Sequence, residues 1–228
     1  MKKISIVIPV YNEKDYILKT LERVEKLSFS GLEKEIIVVD DGSTDGTTEI
    51  LKSLESKYKI IYQNNGGKGA ALRAGFTTST GEIIAIQDAD LEYDPAEIVK
   101  LTNPIIDGRS EVVYGSRMLG NNPVGHRRYY LGNKLISWLT NVLYRSHLTD
   151  VETGHKVFKK SILEKFNLQE NDFGFEVEFT AKILKNQIPI LELPISYAPR
   201  KFGEGKKINW QDGLKALWLL VKYRLIKD

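Results

Sequence analysis

Short apolar runs alternate with amphipathic stretches through the first half of the chain. Ile4-Ser5-Ile6-Val7-Ile8-Pro9-Val10, Glu35-Ile36-Ile37-Val38-Val39 and Glu82-Ile83-Ile84-Ala85-Ile86 are nearly continuous hydrophobic runs, as expected of strands buried on both faces. Shorter runs at 59–62 and 111–115 read the same way. Between them the pattern predicts helices over 15–27, from Gly46 through Leu54, over 70–78 and over 95–106. Pro95 suits the first turn of the last of these. Strand–helix alternation with short loops predicts an α/β fold, a mostly parallel open sheet with helices on both faces. After Ser116 the regularity loosens. A loop is expected over 120–125, then a helix over 130–144 with Leu135, Trp138, Leu139, Val142 and Leu143 on one broad face. A short strand at Val157-Phe158, a helix over 176–184, a strand over 190–195 and a final helix over about 211–225 complete the pattern. No repeat and no linker divides the chain, so residues 1–228 read as one domain.

Composition changes this picture little, and charge changes it more. The 228 residues are 42% hydrophobic and 28% charged, with no cysteine, which excludes disulfides, thiolate metal sites and cysteine nucleophiles. Met1-Lys2-Lys3 followed by apolar residues imitates the start of a signal peptide. It runs into Tyr11-Asn12-Glu13 without a small-residue cleavage site and reads better as a first strand. No stretch is long enough for a transmembrane helix. The net charge of +3 hides an asymmetry. Residues 117–149 hold Arg117, Arg127, Arg128, Lys134 and Arg145 and no acid. Residues 200–228 carry eight Lys or Arg against Glu204, Asp212 and Asp228. A basic second half beside an acidic first half points to an anionic partner.

The candidate chemistry lies where strands end. Asp88, Asp90 and Glu92 occupy alternate positions just beyond the strand ending at Ile86, the edge at which open α/β sheets bind ligands. If the backbone stays extended, the three carboxylates point the same way, and a hard divalent cation, Mg²⁺ or Mn²⁺, would offset their repulsion and bridge to a diphosphate. An acidic loop capping the next helix is the plainer reading. Asp40-Asp41-Gly42-Ser43-Thr44-Asp45-Gly46 is turn chemistry whose aspartates can accept hydrogen bonds from ribose or base. The GxGxxG fingerprint is missing after the first strand, and Gly66-Gly67-Lys68-Gly69 lacks the first glycine and the Ser or Thr of a P-loop.

Taken together, four segments resemble glycosyltransferase family 2, nucleotide-sugar transferases with the GT-A fold. They are Ile8-Pro9-Val10-Tyr11-Asn12-Glu13, Val39-Asp40-Asp41-Gly42-Ser43-Thr44-Asp45-Gly46-Thr47, Gly67-Lys68-Gly69-Ala70-Ala71 and Asp88-Ala89-Asp90-Leu91. In the second half, Tyr114-Gly115-Ser116-Arg117, the run Leu148 to Phe158, Phe173-Gly174-Phe175-Glu176-Val177-Glu178 and Leu193-Pro194-Ile195-Ser196-Tyr197 are similar to the polyprenyl-phosphate sugar synthases of that family. The resemblance implies inverting transfer of a hexose from a GDP or UDP sugar to a polyprenyl (dolichyl-like) phosphate. Residues 1–116 would bind the nucleotide sugar and 117–228 the acceptor.

By the same resemblance, Pro9, Tyr11, Glu13, Asp40, Asp41, Lys68, Asp88, Ala89 and Asp90 would form the nucleotide-sugar site. Asp88, Asp90 and Glu92 would hold Mg²⁺ or Mn²⁺, with Asp90 the direct ligand of the donor diphosphate complex. Arg117 would steady a phosphate. Arg127, Arg128 and Arg200, with Lys206 and Lys207 in reserve, would receive the acceptor phosphate, since guanidinium groups match phosphate oxygens. A lipid phosphate is already ionised and needs no strong base. A soluble glycan or protein acceptor, the alternative, would attack through a hydroxyl and would require a carboxylate base such as Asp150 or Glu152. His126, His147 and His155 are too scattered for a metal site, and His155 is expected to be structural. A cytoplasmic protein peripheral to the membrane face is expected, held there by a separate membrane subunit or by its own helices around Trp138 and Trp218. A non-catalytic basic module is a further alternative, but no nucleic-acid-binding motif appears and no nucleic-acid partner is expected.

Overall fold

A computed structural model describes residues 2–123, 127–200 and 210–226, with the side chains of Arg127, Tyr129 and Trp210 excepted. Seven strands form one sheet: β1 (Lys3–Val10), β2 (Glu33–Asp40), β3 (Lys59–Tyr62), β4 (Ile83–Ile86), β5 (Val112–Ser116), β6 (Lys156–Lys159) and β7 (Ile190–Pro194). Their order is β3-β2-β1-β4-β6-β5-β7. All pairings are parallel except those of β6, which runs antiparallel between β4 and β5. The chain therefore winds outward from β1 to β3, then returns to the other side of β1 at β4. That reversal makes a crevice beyond the carboxyl ends of β1 and β4, where doubly wound sheets take ligands.

The pleat of β1 explains the two-sided core. Ile4, Ile6 and Ile8 face α1 (Ile17–Glu25) and α4 (Glu97–Ile106), where Leu21, Val24, Ile98 and Leu101 are buried with them. Val7 points to the opposite face, covered by α3 (Lys68–Thr78) and α6 (Gly174–Lys185) through Leu72, Phe76, Phe175 and Phe179. Period-two alternation with both sides apolar produces the continuous runs seen in the sequence. Gly75 lets α3 lie close on the sheet, because a Cβ there would stand 2.3 Å from Val7. The short α2 (Thr47–Lys52) follows the β2 loop.

Two long helices, α5 (Arg127–Tyr144) and α7 (Trp210–Leu225), pack with α6 in a third layer around Ile136, Val177, Leu219 and Leu220. Their outer faces are apolar and open. Leu131, Leu135, Trp138 and Val142 form one exposed stripe, and Leu214, Trp218, Val221 and Leu225 another, with both tryptophans 59% exposed. No helix among the described residues is long and apolar enough to cross a membrane.

Most element boundaries fall within two or three residues of expectation. The larger difference is β6, which extends to four residues and sits inside the sheet rather than at its margin. Its two neighbours supply both antiparallel ladders, which a local apolar count cannot foresee. A 3-10 turn at Lys160–Glu164 was also invisible to periodicity.

Candidate active site

The crevice between β1 and β4 is walled by tightly laced loops. Asn12, left-handed at φ 52°, donates its backbone N–H to Ser43 Oγ and accepts from the Thr44 N–H through Oδ1. Glu13 receives Tyr16 and Ile17 N–H groups on its carbonyl, starting α1, while its own N–H donates to Thr47. Asp40 closes the β2 loop by accepting from the Ser43 N–H and the Thr48 hydroxyl. Asp41 accepts from Gln63 and from the Gly66 and Gly67 N–H groups, so it braces the glycine loop before α3. Pro9 and Tyr11 are partly exposed on the same rim.

Across the crevice, the β4 loop departs from expectation. Leu91 adopts φ 59°, a left-handed conformation uncommon for a branched residue, and Asp90 Oδ1 accepts the Glu92 N–H at 3.1 Å. This turn sends the three carboxylates in different directions. The backbone is therefore not extended through 88–92, which corrects the premise that the three carboxylates share one face; among the described residues no cluster of three or more acidic or histidine side chains is preformed there. Asp88 meets Lys68 at 2.8 Å. Glu92 accepts from the Tyr197 hydroxyl and the Arg200 N–H, fastening the 197–200 segment over the crevice. Asp90 retains the open position, its side chain 24% exposed. Ala89 is buried behind it, its carbonyl accepting from Thr20 on α1.

Arg200 spans the two walls. Its guanidinium stands 2.6 Å from Glu13 and 3.6 Å from Asp90, and it lies 4.4 Å over the Tyr16 ring. The longer, more exposed contact to Asp90 is the weaker of the two. A cation arriving at Asp90 would compete with it.

Behind Asp88 lies a buried ionic chain. Lys68 bridges Asp88 and Glu176 at 2.8 and 3.0 Å, and Glu176 is shared with Lys156, which also donates to the Thr153 carbonyl. Burial pushes the Asp88 carboxyl up, but the Lys68 ammonium outweighs it and holds the group below the usual range. Burial likewise disfavours charged Lys68, and its two carboxylates more than restore it. Lys68 is thus a structural cation in this state, committed beneath the crevice rather than exposed to a ligand. His155 stacks on Tyr93 with ring centroids 4.7 Å apart and reaches Gln87 at 3.0 Å. Burial lowers its pKa to about 4, so it stays neutral at ordinary pH, in keeping with the structural role expected for it.

Arg117 is likewise committed. It clamps Asp150 with Nε and Nη2 at 2.7 Å each, its backbone N–H donates to the same carboxylate, and Asn133 supplies a further bond. Tyr93 and Tyr197 cover the guanidinium at 5.9 and 5.2 Å. Burial raises the Asp150 carboxyl, and Arg117 beside it more than reverses the effect. A buried bidentate pair of this kind holds the loop after β5 to the loop before β6. Tyr93, Asn133, Glu176 and Tyr197 were not singled out from the sequence; Glu176 and Tyr197 lie in segments that carry the family resemblance, while nothing in the spacing of Tyr93 or Asn133 marks a site. Arg128 is exposed on α5, and His147 lies at the rim of a separate cleft of about 530 Å³ with Tyr144, Arg145 and Gln187. His126, the Arg127 side chain, Lys206 and Lys207 lie outside the described residues.

Residues 5–166 match the family model for glycosyl transferase family 2. The chain belongs to that family. It is 32% identical over 213 residues to a dolichol-phosphate mannosyltransferase of Pyrococcus furiosus, an alignment covering 90% of this chain and 59% of that protein. It is 30% identical to the low-salt glycan biosynthesis hexosyltransferase Agl6 of Haloferax volcanii, covering 98% of this chain and 53% of the relative. The chain thus spans a little over half the length of these two relatives. Among solved structures, glucosyl-3-phosphoglycerate synthase of Mycobacterium tuberculosis superposes with a TM-score of 0.77 over 100% of this chain and 81% of its own, at 20% identity. That likeness places the present sheet in the GT-A class.

The acceptor expected from the sequence, a polyprenyl phosphate, is corrected by these findings. Two of the solved structures that match the whole chain are described as complexes of that synthase with phosphoglyceric acid, a soluble compound. Two of the cations named for a phosphate are ion-paired in this structure. Arg200 is held by Glu13 and Asp90, and Arg117, expected to steady a phosphate, is held by Asp150. A guanidinium already matched to a carboxylate must break that pair before it can take a phosphate.

Proposed function

We propose that this family 2 member transfers a hexosyl group, with inversion, from a nucleoside-diphosphate sugar to a hydroxyl group of a soluble acceptor. The observation that carries this reading is the crevice at the β1/β4 reversal, where Arg200 bridges Glu13 after β1 to Asp90 after β4. Residues 1–116 would supply the donor side and 117–228 the acceptor side. Asp40 and Tyr11 would meet the nucleoside, with Pro9, Asp41 and Ala89 shaping the pocket.

A divalent cation fits this site through Asp90. That carboxylate is partly exposed, its Oδ2 has an ionic neighbour at 3.6 Å among the described residues, and it belongs to the chemistry Mg²⁺ and Mn²⁺ favour, one carboxylate plus substrate phosphates. The ion would supply charge neutralisation for the departing diphosphate. Asp88 and Glu92 support the loop through Lys68, Tyr197 and Arg200 instead. The related synthase is described in complexes with Mn²⁺ and UDP-glucose and with Mg²⁺ and UDP, and the curated relatives are named as sugar transferases. Both support the donor and metal assignment.

The basic second half suits an acidic acceptor. Arg128 is the exposed candidate, joined by Arg127, Lys206 and Lys207. Attachment at a membrane face is supported by the apolar stripes of α5 and α7, flanked by Lys134, Lys222 and Arg224; flotation with anionic vesicles tests it. The transfer itself is tested with UDP and GDP sugars, Mn²⁺ or Mg²⁺, and a panel of hydroxyl acceptors that includes 3-phosphoglycerate. Release of nucleoside diphosphate with an acceptor gaining one hexose is expected. Absence of such a product with every pair would overturn the reading.

A further inference from the structure

A neutral hydroxyl attacks an anomeric carbon readily only when a base removes its proton, and that base must stand within hydrogen-bond reach of it. Nearly every carboxylate near the crevice is already engaged. Glu13 holds Arg200, Asp88 holds Lys68, Glu92 holds Tyr197 and the Arg200 N–H, Asp150 holds Arg117, and Glu176 holds Lys156 and Lys68. Glu152 differs. It is partly exposed, yet its Oε1 is buried with no hydrogen-bond partner among the described residues. A buried carboxylate oxygen without a donor is costly, and native proteins keep few of them.

Its loop is fixed against the donor side. Thr153 donates to the Gly115 carbonyl, and the Gly154 N–H donates to the Tyr93 hydroxyl. Gly154 lies so close to Asp88 that a Cβ would stand 2.2 Å from Oδ2. The backbone therefore carries Glu152 between the β4 loop and the Arg117–Asp150 clamp, on elements that do not depend on Glu152 itself for their hold.

We propose that Glu152 is the general base that accepts the proton of the acceptor hydroxyl, a role that rests on the transfer reading above. The hydroxyl proton passes to the Glu152 carboxylate as the acceptor oxygen bonds to the anomeric carbon. The bond from that carbon to the donor's diphosphate oxygen breaks, and its electron pair leaves with the nucleoside diphosphate. Charge and atoms balance without another reactant. The surroundings suit a base working near neutrality. Burial, then the Glu176 carboxylate on α6, push the Glu152 carboxyl up to about 7, Lys156 on β6 and Arg117 after β5 pull it back, and Asp150 on the same loop adds to the rise. A group with a pKa near the working pH combines a useful deprotonated fraction with basicity.

The test compares wild type with Glu152→Gln, which keeps size and hydrogen-bonding shape but cannot take a proton. With an acceptor that wild type uses, turnover should fall on the order of a hundredfold or more, while calorimetric affinity for the nucleotide sugar with Mn²⁺ changes by less than about threefold. The wild-type rate should rise with pH through about 7, and that limb should vanish from the residual activity of the variant. Turnover within about threefold of wild type, or a variant that keeps the limb, overturns the proposal. If Glu152→Gln does not fold, Glu152→Asp serves: it should retain the limb with reduced turnover, and a lost limb would count against the proposal. Failure of the underlying reading is recognisable separately, because wild type itself would then make no product with any hydroxyl acceptor.

Discussion

Two arginines at strand-end loops show how differently the same residue type can be used in this protein. Arg117 is buried in a bidentate clamp with Asp150, whose side chain is fully shielded, and two tyrosines roof it. Arg200 bridges the loops after β1 and β4, tight to the buried Glu13 and loose to the partly exposed Asp90. In the first region a bidentate guanidinium meets a fully shielded carboxylate, so the pair fixes two loops to one another. In the second, the match is incomplete at the one carboxylate that faces the opening. Charge alone does not mark a binding group; the quality and exposure of its existing partner does.

The comparison breaks most sharply at Asp150. Asp150→Ala leaves Arg117 buried without its counter-ion and should cost about 3–5 kcal/mol of stability, measured by denaturant unfolding. Arg200→Ala should be milder in stability, since one of its two carboxylate partners, Asp90, is partly exposed and only loosely paired at 3.6 Å. A loss as large as that of Asp150→Ala would place both arginines in one class. Gly154→Ala should follow, at about 1–3 kcal/mol, because its Cβ would press on Asp88 and strain the loop that carries Glu152.

A smaller effect has a distinctive sign. The Glu152 carboxyl is raised in the folded protein, chiefly by burial and by Glu176, so the folded state holds a proton that the unfolded chain releases at lower pH. Stability contributed by this group is therefore full below its ordinary pKa and is lost as pH rises to about 7. Glu152→Gln should be more stable than wild type at pH 8, by on the order of 2 kcal/mol, with the difference fading toward pH 5. Thermal melts across that range would show it, and equal stability at both ends would contradict the raised pKa. Least of all, Arg128→Ala should leave stability within about 0.5 kcal/mol, since the side chain is exposed on α5.

Much of the fold was written in local patterns. The apolar runs of β1, β2 and β4 had to be buried on both faces, and strand–helix alternation left little choice but a wound sheet. The antiparallel insertion of β6 was not readable, because it depends on partners from two distant segments. At the site, the Asp40 loop was found from turn chemistry, Asp90 from alternate carboxylates at a strand end, and Glu13 from the family resemblance. Their pairing was not. Alternate spacing of Asp88, Asp90 and Glu92 assumed an extended backbone, and a single left-handed Leu91 undoes that assumption. The carboxylate partners of Lys68 and Arg117 were not legible either, because a sequence displays a cation without the carboxylate that pairs with it. Glu152 was distinguishable from Asp150 as a base only once Arg117 was seen to occupy the latter.

The central claim is that the β1/β4 crevice binds a nucleotide sugar through a divalent cation held by Asp90. Calorimetry of UDP- and GDP-sugar binding, with Mn²⁺ and with chelator, for wild type and Asp90→Asn, tests it most directly. Binding by wild type that requires the metal, weakened on the order of tenfold or more in the variant, is the predicted result. Binding of equal strength without metal, or unchanged in Asp90→Asn, would contradict the account.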